Sequence, residues 1–291
     1  MLRINNITKD YGERRGIFDL TFSVEKGESF GFLGPNGAGK TTTIRHLMGF
    51  IYPDKGSCTI HHLDCATRSA EIQRILGYVP GEIALPDEMT GIGFLKFLAH
   101  YRGLHDFSRA EQLIQYFELD ARGKLRKMSK GMKQKIAIVS AFMHDPEILI
   151  LDEPTSGLDP LMQNRFVNLI LEEKTKGKTI LMSSHVFEEV ERTCDRIGII
   201  KQGELVAIDT VDHLKTTKQK SYTVVLENEA VAAAFAKENL NISDVVQNRV
   251  TIIIHQDIKR FIEILNRYPV IDLFTNEQSL EDLFLHFYGT K

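Results

Sequence analysis

The feature that most constrains this chain is a glycine-rich stretch, Gly34-Pro-Asn-Gly-Ala-Gly-Lys-Thr41. It matches the pattern G-x-x-x-x-G-K-S/T, whose backbone N–H groups surround phosphate oxygens. The flanks supply the context that the pattern requires: residues 28–33 read as a buried strand, and residues 42–48 read as a helix that Gly49 ends. The N-terminus of that helix adds a dipole that favours an anion. The stretch therefore predicts a binding site for a nucleoside triphosphate.

Two side chains of this stretch have expected roles. Lys40 would reach the β- and γ-phosphates, and the hydroxyl of Thr41 would hold Mg²⁺. The simpler interpretation is a glycine-rich turn between a core strand and a helix, which the matching flanks disfavour. The predicted nucleotide-binding residues are Gly34, Pro35, Asn36, Gly37, Ala38, Gly39, Lys40, Thr41 and Thr42.

Two acidic residues follow the most continuously apolar strand of the sequence. Residues 148–151 read Ile-Leu-Ile-Leu, which is typical of a parallel strand buried on both faces, and Asp152 and Glu153 come next. Acids at the end of a core strand are unfavourable unless they have a role, and open α/β sheets bind ligands at the carboxyl ends of their strands. We expect Asp152 to hold Mg²⁺ and Glu153 to act on water as a general base. The alternative is a solvated strand end.

Three further residues are candidates for contacts with a nucleotide. Ser129 is the expected N-cap of a helix, and the positive helix end with its lysines could also bind an anion. His185 follows a strand at 178–183, and we expect it to contact a γ-phosphate rather than serve only as a cap or core residue. Tyr11 could pack locally or stack on an adenine, and the sequence leaves both options open.

Composition and charge restrict the class of protein. A length of 291 residues allows one or two domains, and a formal net charge of −3 gives no electrostatic footprint for nucleic acid. Cys58, Cys65 and Cys194 are too scattered for a disulfide framework, which favours a reducing cytosol. We see no signal-peptide pattern and no apolar run near the ~18 residues that a membrane span needs. If the protein works at a membrane, something other than its own apolar segments holds it there.

A short segment with two cysteines and two histidines raises the possibility of a metal site. Cys58, His61, His62 and Cys65 lie close together in the sequence. Their spacing lacks the paired C-x₂-C pattern of a zinc site. Cys58 and Ile60 would share one face of a short strand, and both histidines would fall where the strand turns. A plain strand and turn is the expectation.

Two parts of the chain depart from an alternating α/β pattern. A helical insertion is predicted at about 87–143, with Thr90 and Ser108 as the N-caps of its first two helices. A hairpin at 196–208 closes the first predicted domain, which spans residues 1–210. No glycine occurs between Glu204 and Tyr288, so we expect no phosphate-binding turn there.

The second domain, residues 211–291, reads as a small split-βαβ module followed by a helix. It shows no catalytic constellation, basic patch or metal spacing, and we interpret it as a docking or regulatory domain. The predicted strands are 221–226, 242–247, 249–255 and 270–274, and the predicted helices are 229–238, 256–267 and 278–288.

Together the motifs of residues 1–210 resemble those of the ATP-binding-cassette ATPases. The resemblance implies an α/β P-loop NTPase cassette with a mixed sheet and a helical subdomain, here joined to a small C-terminal α+β domain. It also implies ATP and Mg²⁺ as ligands, with catalytic roles for Glu153, His185 and Lys40. The matching motifs are Tyr11 at the adenine-stacking position, Gly34–Thr41 as Walker A, Ser129 and Gly131 in the signature, Ile148–Glu153 as Walker B, Ser156–Asp159 as the D-loop, and His185 as the switch histidine.

The resemblance further implies the partners and the place of action. In the family, two cassettes pair head to tail and enclose ATP between the Walker A loop of one and the signature of the other. Ser129, Gly131 and Asp159 are then expected to meet nucleotide across that interface. The C-terminal module looks like that of bacterial ATPase subunits serving drug- and bacitracin-type exporters. We therefore expect a separately encoded membrane permease, a homodimer on the inner face of the membrane, and no nucleic acid.

This sequence departs from the family pattern at two positions. Lys130 replaces the first glycine of the signature, whose usual form is L-S-G-G-Q. Gly81 stands where the family places a glutamine that senses Mg²⁺ and contacts the membrane subunit. Glu82, the next residue, is a candidate for reaching the metal region in its place.

Three other functions fit parts of the pattern. A soluble cassette ATPase acting on nucleic acid or the ribosome is disfavoured by the acidic charge and by the lack of a second cassette or long heptads. A nucleotide-dependent interaction module that does not hydrolyse is disfavoured by the intact Asp152, Glu153 and His185. A nucleotide kinase leaves the Ser129 and His185 motifs unexplained.

Overall fold

The computed structural model describes residues 1–217, 220–254 and 258–277. The chain divides into two compact units between Val211 and Asp212. The predicted helix 278–288 lies outside the described residues.

The first unit contains two sheets. Its strands are β1 (Leu2–Asp10), β2 (Gly16–Val24), β3 (Ser29–Leu33), β4 (Lys55–Ile60), β5 (Leu63–Asp64), β6 (Leu76–Val79), β7 (Ile148–Asp152), β8 (Thr179–Ser184), β9 (Arg196–Lys201) and β10 (Glu204–Thr210). A four-stranded antiparallel sheet has the order β2-β1-β4-β5, and a six-stranded sheet has the order β10-β9-β3-β8-β7-β6. The rings of Phe22 on one sheet and Phe30 and Phe32 on the other stack at 5.2 Å, so the main core lies between the sheets.

The six-stranded sheet positions the site. Its strands run parallel except for the β9–β10 hairpin, so the predicted mixed sheet is confirmed. Every residue of β3, β7 and β8 is buried, as expected for parallel strands covered on both faces. Because these strands are neighbours, the loops after them meet at one sheet edge. The glycine-rich loop follows β3, Glu153 follows β7, and His185 follows β8.

Helices connect and cover the strands of the first unit. They are α1 (Lys40–Leu47), α2 (Ser69–Ile75), α3 (Gly91–Tyr101), α4 (Ser108–Tyr116), a 3₁₀ turn (Leu125–Lys127), α5 (Lys130–Phe142), α6 (Pro160–Thr175) and α7 (Phe187–Thr193), and α8 (Val211–Thr217) begins at the unit boundary. None of the helices in the described residues is long and apolar enough to span a bilayer.

Of the two N-caps predicted for the helical insertion, one is confirmed and one is wrong. The hydroxyl of Thr90 accepts a hydrogen bond from the N–H of Gly93 at 3.1 Å, so this predicted cap is confirmed. The predicted cap at Ser108 is wrong, because Ser108 is the first residue of α4. Its N–H and its hydroxyl both donate to the carboxylate of Asp106, at 2.8 Å each. A carboxylate is a stronger acceptor than a hydroxyl, and it stands two residues before the helix.

Two other local predictions concern the strand expected from Ile75 and the segment near Cys58. Ile75, predicted to open a strand, is the last residue of α2, and β6 begins one residue later. The strand and turn expected near Cys58 is confirmed: His61 and His62 form a turn with φ of +52° and +65° after β4. The described part of the chain holds no group of three or more histidine, cysteine or acidic residues that could bind a metal ion.

The second unit has the predicted order of elements over its described residues. These are β11 (Lys220–Leu226), α9 (Glu229–Phe235), β12 (Ile242–Val246), β13 (Arg249–Ile254), α10 (Ile258–Leu265) and β14 (Val270–Glu277). The sheet order β12-β13-β11-β14 is antiparallel throughout, as in a split-βαβ arrangement. The α9 helix ends three residues earlier than predicted. The core of the second unit is made by side chains such as Val224, Phe235 and Phe261.

Candidate active site

The glycine-rich loop runs from the end of β3 to the start of α1. Gly39 precedes the helix with φ of +112°, and a Cβ on it would lie 2.7 Å from Ile17 Cγ2, so only glycine fits here. Pro35, Asn36 and Gly37, at the tip of the loop, are exposed. The loop is therefore open to a ligand on the side of the N-terminus of α1, where backbone N–H groups and the helix dipole favour an anion.

Lys40 lies folded back along this loop. Its side chain is buried, and its ammonium donates to the carbonyl oxygens of Gly34 at 2.6 Å and Pro35 at 3.2 Å. The same Nζ lies 3.1 Å from Oε1 of Glu153. Thr41 and Thr42 follow in the first turn of α1 and are half-buried. The lysine thus connects the loop after β3 with the loop after β7.

Asp152 ends β7 with its carboxylate only partly satisfied. The hydroxyl of Ser183 donates to Oδ1 at 2.5 Å, whereas Oδ2 is buried without a hydrogen-bond partner among the described residues. A Cβ placed on Gly81 would lie 2.9 Å from Oδ2, so no side chain fits between the two residues as they stand. Burial and the negative charge of Asp152 raise the pKa of Tyr78 to about 12. A buried carboxylate oxygen without a partner is the kind of atom that a cation satisfies.

Glu153 lies at the centre of the site. Its backbone has φ of +48°, a left-handed conformation that costs on the order of 1–3 kcal/mol for a residue other than glycine. Oε2 lies 2.5 Å from Nδ1 of His185, whose side chain is about half exposed. Lys40, Glu153 and His185, predicted separately from three motifs, therefore form one contiguous set of side chains.

Two polar residues near this set were not predicted from the sequence. Ser183 pairs with Asp152 in the β7–β8 register, and its side-chain oxygen also accepts a hydrogen bond from the N–H of Glu153 at 3.1 Å. Glu189 is buried in α7 and accepts a hydrogen bond from Ser184 at 3.1 Å. Burial raises the pKa of Glu189, and hydrogen bonds from Thr155 and Ser184 oppose that rise. The strand register could have pointed to Ser183; the sequence carried no signal for Glu189.

The Ser129 and Asp159 side chains cap helices within the chain. Ser129 is exposed, and its hydroxyl accepts a hydrogen bond from Met132 N–H at 3.2 Å, so the predicted N-cap of α5 is confirmed. Asp159 likewise accepts from Met162 N–H at 3.0 Å at the start of α6. Their predicted contacts with nucleotide, and that of Gly131, stay predictions.

The side chain of Tyr11 is 56% exposed, in a turn where its N–H donates to the carbonyl of Arg15 at 2.8 Å. The ring lies outside the core, and the two options left open by the sequence, local packing and stacking on an adenine, both stay predictions. Lys9 Nζ lies 6.0 Å from the ring centroid and is paired with Asp54 at 2.7 Å. The ring is accessible for stacking on a ligand. Glu82 is also exposed, beside Gly81, and its predicted reach to the metal region stays a prediction.

Comparisons with known proteins give a consistent result. A family model described as "ABC transporter" matches residues 17–156. The chain is 42% identical over 215 residues to the linearmycin resistance ATP-binding protein LnrL of Bacillus subtilis (strain 168), covering 72% of this chain and 69% of that protein. It is 34% identical over 303 residues to the bacitracin transport ATP-binding protein BcrA of Bacillus licheniformis, covering 99% of this chain and 97% of that protein. A solved structure titled as the ATP binding subunit of an ABC transporter superposes with a TM-score of 0.67 at 34% identity, covering 74% of this chain and 92% of the other.

Proposed function

The chain belongs to the ABC transporter family and is an ATP-binding, ATP-hydrolysing cassette, and from that membership we propose that it powers export through a separate membrane permease. The observation that carries the catalytic part is the contact of Glu153 with both Lys40 and His185 beside a phosphate-binding loop. Relatives named for linearmycin resistance and bacitracin transport support export over a soluble role on nucleic acid.

Binding of the triphosphate begins with an exchange of partners at Lys40. Its ammonium now satisfies two carbonyl oxygens and one carboxylate oxygen. The β- and γ-phosphates carry more negative charge than these groups, so Lys40 turns to them. The exchange releases Glu153 from the ion pair. Tyr11 stacks on the adenine with its exposed ring, and the N–H groups of residues 34–42 surround the phosphates.

The residues at the strand ends fit Mg²⁺. Asp152 has a free buried oxygen, and Thr41 offers a hydroxyl at the start of α1. Mg²⁺ is usually held by one or two carboxylates together with substrate phosphates and water rather than by an all-protein cage. A Mg²⁺ ion held there would neutralise charge that develops on the phosphates. Glu82 is a further candidate ligand from the solvent side.

Glu153 then acts as the general base. Its carboxylate takes a proton from the attacking water, while His185, which lies 2.5 Å from it, holds its orientation and faces the γ-phosphate. The left-handed backbone of Glu153 directly follows β7, and Lys40 and His185 contact its carboxylate. Ser183 anchors both acids, through Asp152 Oδ1 and the N–H of Glu153.

A second copy completes the site. Ser129 and Asp159 are exposed N-caps of α5 and α6, and Gly131 is half-buried in the first turn of α5. We propose that these three residues meet the nucleotide held by a partner copy. A symmetric pair gives two equivalent sites from one sequence. ATP then stabilises the closed pair, and hydrolysis releases it. The second unit serves as a docking or regulatory domain, and the complex sits on the inner face of the membrane.

The test is to isolate the partner. The full chain, tagged and expressed in its own cell, is extracted from membranes with mild detergent, and co-purifying integral proteins are identified by mass spectrometry. One stoichiometric integral protein that raises the ATPase rate is expected. Recovery of nucleic acid or ribosomes instead, with binding that weakens as salt rises, would support the soluble alternative. In parallel, Glu153→Gln with ATP should elute as a dimer, and a persistent monomer would reject the paired site.

A further inference from the structure

Tyr11 lies in a strained turn at the tip of a hairpin. We call residues 11–15, which join β1 to β2, the Tyr11 turn. Glu13 and Arg14 have φ of +54° and +59°, left-handed conformations that are unfavourable for residues other than glycine. The N–H of Tyr11 donates to the carbonyl oxygen of Arg15 at 2.8 Å, which closes the turn. A strained turn keeps its shape only when the surrounding structure holds it.

Asp54, from outside the hairpin, holds the end of β1 immediately before this turn. Its carboxylate accepts two hydrogen bonds, from Nζ of Lys9 at 2.7 Å and from the N–H of Asp10 at 2.9 Å. Its own N–H donates to the carbonyl oxygen of Thr8 at 2.8 Å. The hydrogen bond from Lys9, and after it the one from Asp10, lowers the pKa of Asp54. Three successive residues before the Tyr11 turn are thus bonded to one aspartate.

Two contacts carry this hold from β1 to the turn and its ring. The carboxylate of Asp10 accepts a hydrogen bond from the N–H of Gly12 at 2.7 Å, inside the Tyr11 turn. The ammonium of Lys9, held by Asp54, lies 6.0 Å from the centroid of the Tyr11 ring, where a cation attracts the face of an aromatic ring. Asp54 therefore orders both the backbone of the turn and the aromatic side chain that it presents.

The same hairpin is placed against the phosphate-binding loop from two sides. On one side, an added Cβ on Gly39 would lie 2.7 Å from Ile17 Cγ2 and 3.4 Å from the carbonyl oxygen of Gly16, so the start of β2 lies against the loop. On the other side, α1 begins at Lys40 in the loop, and the segment that follows this helix carries Asp54. The Tyr11 turn is therefore tied to both ends of the element that binds the phosphates.

We propose that Asp54 is a positioning residue for nucleotide binding, which holds the ring of Tyr11 through Lys9 at a fixed place relative to the phosphate-binding loop. The inference rests on the proposed function, in which Tyr11 stacks on the adenine. Asp54 itself does not touch the nucleotide; it orders the ring before the base arrives. Because ordering in advance removes an entropy cost from binding, Asp54 strengthens the binding of a nucleotide but not of its phosphate tail alone.

The first experiment compares ATP with inorganic triphosphate in calorimetric titrations of the full chain. Asp54→Ala should weaken ATP binding about two- to fivefold, the range expected for loss of a surface ion pair, and should leave the triphosphate affinity unchanged. Asp54→Asn should weaken ATP binding by a smaller factor, because it retains an acceptor for the N–H of Asp10. Asp54→Ala added to Tyr11→Ala should cause no further loss, because both changes act through the same ring.

A second experiment follows the order of the ring directly. The sequence contains no tryptophan, so Tyr11→Trp introduces a single fluorescent indole at the turn. ATP should quench its emission by stacking, whereas inorganic triphosphate should not. In this background and without nucleotide, Asp54→Ala should lower the fluorescence anisotropy of the indole, because the ring then moves more freely.

A matched control lies on the same hairpin, farther from the turn. Asp19 is an exposed aspartate of β2 that accepts a hydrogen bond from Asn6 Nδ2 at 2.8 Å, and Asp19→Ala should behave as wild type in both experiments. The thermal unfolding temperature should be the same in all variants.

The outcomes separate the inference from the proposed function. Wild-type ATP affinity in Asp54→Ala, an equal loss of triphosphate affinity, unchanged anisotropy, or additive losses in the double variant would each overturn the inference alone. If Tyr11→Ala binds ATP as wild type does, the adenine contact of the proposed function is wrong, and the inference is overturned with it.

Discussion

Buried side chains differ in kind between the two units. In the first unit they include Lys40, Asp152 and Glu173, whereas in the described part of the second unit the buried side chains are apolar, as Phe235 and Val224 illustrate. Burial of a charge is unfavourable unless it is paired or binds a ligand. The charges buried in the first unit therefore need partners within the fold or a ligand, whereas the apolar core of the second unit needs neither.

The first unit itself contains both satisfied and unsatisfied charges. Glu173 is buried but pairs with Lys176 at 3.0 Å and Lys178 at 2.6 Å, and it also pairs with Arg109. Asp152 has one oxygen without a partner in the described structure. The contrast separates a structural ion cluster from a binding site, because a ligand is needed only where satisfaction is incomplete.

The largest expected effect tests whether chemistry is confined to the first unit. Glu153→Gln removes the general base and should reduce ATP hydrolysis by about 10²- to 10⁴-fold. ATP binding should persist, since the loop and Lys40 are retained. Phosphate release and nucleotide affinity are measured on the same preparation, with exposed Glu147→Gln as the control. Hydrolysis at the wild-type rate would reject Glu153 as the base.

The next prediction concerns the stability of the second unit, tested by a substitution in its core. Phe235 is fully buried and meets the ring of Tyr268 edge-on at 5.1 Å. Phe235→Ala should destabilise this unit by about 3–5 kcal/mol through lost contacts and a cavity. Hydrogen exchange resolved by peptide should show faster exchange across β11 and β13. Ile262→Ala, at a side chain that is 58% exposed, should change little.

The ATP affinity of Phe235→Ala shows whether the second unit affects nucleotide binding in the first. If the second unit only stabilises itself, Phe235→Ala leaves the affinity for ATP at the first unit unchanged. A loss of ATP affinity in Phe235→Ala would show that the phosphate-binding loop depends on the core of the second unit. The second core would then do more than stabilise its own unit.

A smaller effect is expected at the phosphate-binding lysine. Lys40→Ala should weaken ATP binding by roughly 10- to 150-fold, which corresponds to a charge-assisted hydrogen bond of about 1.5–3 kcal/mol. Calorimetric titration measures the affinity, and Lys26→Ala, at an exposed lysine, is the control. Unaltered affinity would contradict the exchange of partners proposed for Lys40.

Acid should weaken the first unit through a histidine outside the site. Burial, followed by the charge of Arg102, lowers the pKa of His144 to about 4. His144 Nε2 lies 3.1 Å from the carbonyl oxygen of Leu76, an acceptor, so Nε2 carries a proton and donates it. The lowered pKa keeps the ring neutral at pH 7. The unfolded chain binds a proton below a pKa of about 6.5, whereas the native state does not. Stability is therefore lost progressively as pH falls from about 6.5 to about 4.

The measurement compares urea unfolding at pH 7 and pH 5 for two variants. His144→Gln should show a smaller fall in unfolding free energy than wild type, because glutamine takes up no proton. His100→Gln, at an exposed position on α3, should fall as wild type does. Identical falls for His144→Gln and wild type would remove His144 as the cause.

The sequence predicted these features unevenly, for physical reasons. Contiguous motifs such as residues 34–41 and 148–153 were legible, because each requires its residues at fixed spacing. Contacts across long separations were not: the ion pair of Lys40 with Glu153 and the bond from Gln134 to Pro154 exist only after the strands align. Local competition also misled, since Asp106 near α4 outcompetes Ser108 as an acceptor.

The sequence does not decide whether Tyr11 packs locally or stacks on an adenine, and substitution of this residue has a smaller expected effect on ATP binding than substitution of Lys40. Its exposed ring favours stacking on the adenine, worth about 0.5–1.5 kcal/mol for an aromatic pair. Tyr11→Ala should therefore weaken ATP binding by about 2- to 12-fold. Tyr11→Phe retains the ring and should bind as wild type. Inorganic triphosphate, which has no base, should bind all three proteins equally, because only the phosphate loop holds it. A loss of triphosphate affinity in Tyr11→Ala would mean that the tyrosine supports the loop instead, and its exposed position would then need another explanation.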